Sequence, residues 1–346
     1  HHDLTEDHVL EGVIAYGAAF FAIWWAWMNF TWFATSFDTD DWLYRVLTFV
    51  QMGGVLTFAA GLGDFYDGDY GLAILGYVVM RVAMVAQWVR AGHGSAELRS
   101  TAYTYAGGVA AVQVLWLVLL VVPESVRPAL FGVLVLAEIA VPVVAERRGT
   151  TPWHPHHITE RYGLFTLILL GESLLGSSNA IIEALDGHAD LAPLIAIAVL
   201  TLAVTCSLWW IYFWPPHHEA IGSLGQSLRY GYVHYFVFAA AGALSAGIEV
   251  EIDALTDHSK LSDMAATFTV SVPVAIFVLG IWWIAIRDNA DRVVNVVVPV
   301  GALLVLADPV IPVPVTLTAV ILVVVVTVLV VRGPVSRSGR QEHAQG

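Results

Sequence analysis

The feature that most constrains this chain is a series of long apolar segments. Each has roughly the 20 residues that an α-helix needs to cross a bilayer core about 30 Å thick. Eleven are present, at about residues 10–36, 42–62, 70–91, 102–122, 127–145, 158–183, 191–214, 228–249, 265–286, 292–307 and 314–331. They are too long for barrel strands and lack the alternation that such strands require. The sequence therefore predicts an all-α, polytopic membrane protein with eleven spans, of which the tenth, interrupted by Pro299, is the weakest.

The composition supports this class and excludes several others. Hydrophobic residues make up 58% of the chain and charged residues only 13%, about half of the share that is usual in soluble domains. A net charge of −14 argues against a nucleic-acid partner, and the single cysteine, Cys206, argues against a disulfide scaffold. No phosphate-binding loop or dinucleotide fingerprint appears, and Gly171-Glu172-Ser173-Leu174-Leu175 departs from the hydrolase elbow motif. We therefore expect no enzymatic activity, no cofactor and a lipid bilayer as the main partner.

The arginines predict how the spans are oriented. Counted over alternate loops, twelve arginines fall on one side of the membrane, whereas only Arg127 and Lys260 fall on the other. Cytoplasmic loops collect basic residues, so the C-terminus is predicted to be cytoplasmic and residue 1 external. The acidic residues concentrate in the external loops, where Glu251, Asp253, Asp257 and Asp263 form one such group.

A weak internal repeat divides the chain into two halves. The run from Phe21 to Trp27 resembles the run from Cys206 to Tyr212, 185 residues later. Six spans separate the two runs, which predicts parallel six-helix repeats. We expect a first half over residues 1–150, a second half over 151–332 and a cytoplasmic tail without fixed structure over 333–346. Two six-helix repeats need twelve spans, so the intact protein is expected to carry one more helix before residue 1.

The segment from His154 to Phe165, followed by Leu170-Gly171-Glu172-Ser173, resembles the signature of the bacterial low temperature requirement A family. The tryptophan-rich first span and the stretch from Gly76 to Arg81 are similar to that family as well. The resemblance extends over essentially the whole chain. It implies a bacterial plasma-membrane protein connected with growth at low temperature, and it implies no particular reaction. Family members begin with an additional apolar helix, which agrees with the missing span.

Two opposite charges are predicted to lie at the same depth inside the membrane. Arg81 and Glu138 each lie about eleven residues into spans that run in the same direction, about 16 Å from the outer face. A charge at mid-bilayer costs at least about 2.5–3.5 kcal/mol, so each needs a partner. We expect an intramembrane ion pair, with either a static role or a role in gating.

The sixth span carries the most informative polar pattern. At 100° per residue, His157, Arg161, Glu172 and Asn179 share one side of an otherwise apolar helix, with Glu160 near its cytoplasmic end. Such a stripe can form a pathway for protons or ions, and it can equally hold helices together. The tryptophans Trp24, Trp25 and Trp27 lie near the middle of the first span, where core packing is favoured over a cation-binding cage.

Two cytoplasmic loops contain histidine clusters. One holds His154, His156 and His157, and the other holds His217 and His218. Their spacing fits no established zinc motif, so we expect no metal, although imidazole groups beside Glu160 and Glu219 leave metal binding, pH sensing and helix capping open.

These observations give one leading functional hypothesis and one alternative. The leading hypothesis is a proton- or ion-coupled transporter whose pathway uses Glu172, with Arg161 and His157 at its cytoplasmic end. The alternative is a non-transporting membrane sensor or assembly protein, in which the intramembrane charges are structural. A homo-oligomer is compatible with both.

Overall fold

In this computed structural model, residues 9–186, 191–256, 259, 261–311 and 315–334 are described. Within these ranges the chain is helical and contains no strand. In chain order the helices are α1 (Val9–Phe37), α2 (Trp42–Ala60), α3 (Leu62–Tyr66), α4 (Gly71–Gly94), α5 (Arg99–Leu119), α6 (Arg127–Glu146), α7 (Pro155–Asp186), α8 (Leu191–Phe213), α9 (Leu224–Leu255), α10 (Asp263–Ile281), α11 (Val294–Leu304) and α12 (Thr316–Arg332). The predicted tail lies outside the described residues from position 335 onward.

Nine of the described helices are long and apolar enough to cross a membrane: α1, α2 and α4 to α10. The last two apolar segments form the shorter helices α11 and α12. The all-helical class is therefore as predicted, whereas the structure provides nine long helices and two shorter ones for the eleven expected spans. The tenth segment is short because α11, which contains Pro299, ends at Leu304 and continues as a 3-10 turn to Val310.

Side-chain caps fix the beginnings of three helices. Asp41 accepts a hydrogen bond from the Tyr44 backbone at the start of α2, and Ser223 and Ser262 cap α9 and α10 in the same way. The caps of α9 and α10 place the starts of these two helices upstream of their apolar runs. For that reason α9 and α10 begin four and two residues earlier than the hydropathy alone indicated.

The chain divides into two compact units, an N-terminal unit (Ile14–His154) and a C-terminal unit (Pro155–Gly346 together with His1–Val13). The halves expected from the sequence, 1–150 and 151–332, stay a prediction. Each unit is described by itself below.

In the N-terminal unit, α2 and α4 approach each other at a pair of glycines. A Cβ atom added to Gly54 would lie 2.8 Å from the Gly76 carbonyl oxygen, and one added to Gly76 would lie 2.3 Å from the Phe58 backbone nitrogen. Real side chains cannot occupy such spaces. The crossing therefore depends on the absence of side chains at both positions.

In the C-terminal unit, α9 and α10 meet in a comparable way. A Cβ atom on Gly247 would lie 2.2 Å from the Thr269 carbonyl oxygen. That carbonyl lacks the usual intrahelical partner because Pro273, four residues later, has no N–H. The hydroxyl of Thr269 in turn donates to the Gly247 carbonyl at 3.2 Å. Gly247 therefore leaves the room that the freed carbonyl needs.

Candidate functional site

The polar stripe of α7 lies on the exposed side of the helix. His157, Glu160, Arg161, Glu172 and Asn179 are all exposed in the described part of the chain. The opposite side is buried and consists of Ile158, Tyr162, Thr166, Leu170, Ser173 and Ser177. The residues of the predicted stripe therefore share one side of α7, and that side is exposed. The helix instead buries its aromatic, aliphatic and small residues, because these fill a packed interior without leaving charges to neutralise.

A second carboxylate from α9 lies near Glu172. The Ser245 hydroxyl donates to the Glu172 backbone carbonyl at 3.4 Å. One turn further along α7, Gly176 faces the side chain of Glu249, whose Oε1 atom would lie 2.7 Å from a Cβ atom added there. The α7–α9 contact thus brings two acidic residues to one region of the membrane span. Glu249 lies at the predicted end of its span, so its place in the sequence gave no signal of this contact.

Arg81 and Glu138 are in contact in the interior of the N-terminal unit. The Arg81 guanidinium lies 3.0 Å from Glu138 Oε2, and the two side chains are 1% and 0% exposed. Four other side chains donate to the same carboxylate. They are Trp25 of α1 at 2.9 Å, Tyr77 of α4 at 2.8 Å, and Gln113 and Trp116 of α5 at 3.0 Å and 3.2 Å. Five donors fully occupy the lone pairs of a charged carboxylate.

This arrangement assigns a definite partner to one of the tryptophans in the first span. Trp25 is 0% exposed and donates to Glu138. Trp24 is also buried, and its ring lies 5.5 Å from that of Trp25. Periodicity gave no signal for the Trp25–Glu138 contact, since the two residues are 113 positions apart.

A small apolar cavity of about 30 Å³ lies beside this cluster. Its wall contains Tyr77 and Trp116, which both donate to Glu138, together with Phe21, Phe58, Phe65 and Phe131. A volume of this size holds about one or two water molecules, but an aromatic wall gives them few polar partners.

His217, in the turn between α8 and α9, and His234, in α9, share a set of buried hydrogen bonds. His217 is buried: its Nε2 lies 2.6 Å from the Tyr212 carbonyl oxygen and its Nδ1 lies 3.0 Å from the Tyr230 hydroxyl. His234 extends this series of hydrogen bonds. Its Nε2 lies 3.2 Å from the Tyr212 hydroxyl, and its Nδ1 lies 2.7 Å from the Tyr230 carbonyl oxygen. A carbonyl only accepts, so each histidine donates to a carbonyl and accepts from a tyrosine hydroxyl. The ring of hydrogen bonds is complete when both imidazoles are neutral.

Burial lowers the pKa of His217 from 6.5 to about 4, and the neighbouring His218 contributes to this lowering. His218 itself stacks on His156, with ring centroids 4.2 Å apart. His154 and His157, the remaining metal candidates, are exposed. Among the residues that the structure describes, no three acidic, cysteine or histidine side chains form a group that could hold a metal ion.

The structure corrects the place of one acidic residue. Glu251 was counted with an external loop, but α9 continues to Leu255 and buries it at 1% exposure. A second acidic residue, Asp308, lies just before α12, where it is fully buried and accepts hydrogen bonds from the first residues of that helix.

One comparison with known proteins identifies a family. The model of the bacterial low temperature requirement A protein (LtrA) family matches residues 1–331. A protein of Rhizobium meliloti (strain 1021), itself described as uncharacterized, is 29% identical over 228 residues, which cover 61% of this chain and 53% of that protein. The alignment thus spans about half the length of that relative. No solved structure matches the chain.

Proposed function

Since this chain belongs to the bacterial low temperature requirement A family, we propose that it is a multi-pass protein of the bacterial plasma membrane that translocates, or is driven by, protons or small ions. In this proposal the path includes Glu172, with Arg161 and His157 at the cytoplasmic end of the same face of α7. The protein is not an enzyme, carries no cofactor and has the lipid bilayer as its principal partner.

The observation that carries the proposal is the position of Glu172. It lies near the middle of the long apolar helix α7, and its side chain is exposed in the described part of the chain. A carboxylate that faces hydrocarbon costs at least about 2.5–3.5 kcal/mol. A hydrated passage along this face of the C-terminal unit removes that cost, and it gives the carboxylate access to ions.

The polar surroundings of Glu172 support the same conclusion. Glu249 on α9 adds a second carboxylate beside Gly176, and Asn179 adds an amide two turns after Glu172. Oxygen ligands of this kind suit protons and hard cations. Toward the cytoplasm, Arg161 lies about 16 Å from Glu172 along the helix axis.

An architecture of two parallel repeats is part of the proposal. The close crossings of the two units correspond: Gly54 meets the carbonyl of Gly76, and Gly247 meets the carbonyl of Thr269, so that 22 positions separate the partners in both cases. The first crossing joins α2 to α4, and the second joins α9 to α10. Transporters built from such repeats place their ion sites near the middle of the membrane.

The test is ion flux in proteoliposomes that contain the purified protein. A potassium diffusion potential drives uptake, and dyes inside the vesicles report protons and sodium. We expect Glu172→Gln to reduce flux at least tenfold, because the neutral amide can neither take up a proton nor attract a cation. Glu124→Gln, which changes an exposed acid outside the long helices, should leave flux intact. Equal flux through Glu172→Gln and the unchanged protein would remove Glu172 from the mechanism.

One observation favours the alternative of a non-transporting sensor or assembly protein. The Arg81–Glu138 pair is saturated by donors and buried, as expected of a structural centre. If this alternative holds, reconstituted protein passes no ions, and replacing both charges together (Arg81→Gln with Glu138→Gln) preserves growth at low temperature.

A further inference from the structure

Glu251 has a buried carboxyl oxygen without a hydrogen-bond partner. The side chain is 1% exposed, and Oε1 has no partner among the residues that the structure describes. Its surroundings are acidic, because Asp308 and Asp263 lie close enough to act on it electrostatically, and the Thr267 hydroxyl lies within hydrogen-bonding reach. A buried carboxylate in such surroundings is stable only with a positive charge beside it or with a proton on it.

The neighbouring Asp308 does not supply that proton. Its Oδ1 accepts from the Leu317 backbone at 3.2 Å, and its Oδ2 accepts from the backbone and the hydroxyl of Thr318. These donors form the first turn of α12, whose N-terminus favours a negative charge. These donors favour a negative charge on Asp308, and such a charge adds to the acidic surroundings of Glu251.

The surrounding helices supply no basic side chain either. The segments 170–186, 191–213, 263–281 and 294–311 contain neither lysine nor arginine. The basic candidates in the adjoining loop, His258 and Lys260, lie outside the described residues. They are included in the experiment for that reason.

The oxygen atoms at this position suit a small hard cation. Besides the two carboxylates, α10 offers Thr267 and, one turn further on the same side of the helix, Ser271, whose buried hydroxyl has no partner among the described residues. The chain between α11 and α12 is a 3-10 turn around Asp308. Transporters commonly bind their coupling ions where membrane helices are interrupted in this way.

We propose that Glu251, together with Asp308, Thr267 and Ser271, binds one exchangeable monovalent cation, a proton or an alkali-metal ion, in the outer part of the C-terminal unit. One positive charge is enough to neutralise Glu251, because the first turn of α12 already stabilises the charge of Asp308. This site is separate from the stripe of α7, and its occupancy does not require flux through Glu172.

The experiment is thermal unfolding of the detergent-solubilised full chain at pH 5.5 and pH 8.5, in choline chloride or in sodium, lithium or potassium chloride at equal ionic strength. We expect the unfolding temperature of the unchanged protein to fall in choline at pH 8.5. If an alkali ion restores the unfolding temperature at pH 8.5, that ion is the ligand. If the unfolding temperature is restored only at pH 5.5, the ligand is the proton. Glu251→Gln should abolish the response, and Glu124→Gln should retain it.

Three further variants keep the test decisive. Ser271→Ala leaves the carboxylates in place, and it should shift the half-maximal sodium concentration severalfold or the pH midpoint measurably, even if Glu251→Gln does not fold. The proposal is wrong if the unchanged protein and Glu251→Gln respond equally to pH and cations. It is also wrong if Lys260→Gln or His258→Gln removes the response, because the counter-charge then comes from the protein. The result of this binding experiment does not depend on whether the protein translocates ions.

Discussion

At the scale of single residues, the most heavily coordinated group is Glu138, and its replacement should be costly. Glu138→Gln leaves the 1%-exposed Arg81 without its counter-charge. Removing one partner of a buried ion pair typically destabilises a protein by about 3–5 kcal/mol. We expect a lower unfolding temperature in detergent, partly restored when Arg81→Gln is added. A double variant less stable than Glu138→Gln would contradict the assignment of the ion pair as the main interaction.

His217 should make the stability of the protein sensitive to acid. The unfolded chain takes up a proton near pH 6.5, whereas burial keeps folded His217 neutral down to about pH 4. The unfolded state thus binds more protons between these values, and stability falls as the pH is lowered through this window. The loss between pH 7 and pH 5 should be about 2 kcal/mol. His217→Gln should flatten this part of the pH profile of unfolding; an unchanged slope would show that other groups dominate.

At the scale of helices, the two glycine crossings can be tested with neighbouring glycines as controls. Gly54→Ala would place a methyl group 2.8 Å from the Gly76 carbonyl oxygen, whereas nothing lies within 4 Å of a Cβ atom on Gly53. Overpacking of this kind costs about 1–3 kcal/mol. Thermal unfolding should therefore separate Gly54→Ala from the neutral Gly53→Ala. Similar unfolding temperatures for the two variants would mean that α2 and α4 are not in close contact.

The same comparison applies to the second unit. Gly247→Ala meets the Thr269 carbonyl oxygen at 2.2 Å, and Gly225→Ala, on the same helix, meets nothing within 4 Å. Only the first change should lower the stability of the protein, by about 1–3 kcal/mol. The two pairs of variants together test whether α2–α4 and α9–α10 pack alike, as the proposed repeat requires.

At the scale of the whole molecule, the distribution of arginines predicts the orientation in the membrane. In a Cys206→Ser background, Glu97→Cys should react with an impermeant maleimide only from the cytoplasmic side, and Glu124→Cys only from the outside. The two positions flank α5. Labelling of both from one side would show that α5 does not cross the membrane, and it would overturn the predicted topology.

The sequence alone determined the features that depend on local chemistry. Long apolar runs indicated where helices lie, and helical periodicity placed His157, Arg161, Glu172 and Asn179 on one side of α7. Equal depth in the membrane also made Arg81 and Glu138 plausible partners. The signature around residues 154–173 indicated the family that the family model matches.

The tertiary structure decided which faces are covered and which groups meet. Periodicity groups residues on one side of a helix, but it cannot say whether another helix packs there, and α7 turns its charged side outward. Trp25 and Glu138 are in contact although 113 positions separate them in the sequence. Glu251 is buried because α9 extends beyond the end of its apolar run. Such contacts depend on long-range packing, in which the burial of apolar surface and the pairing of buried charges over many helices select one arrangement.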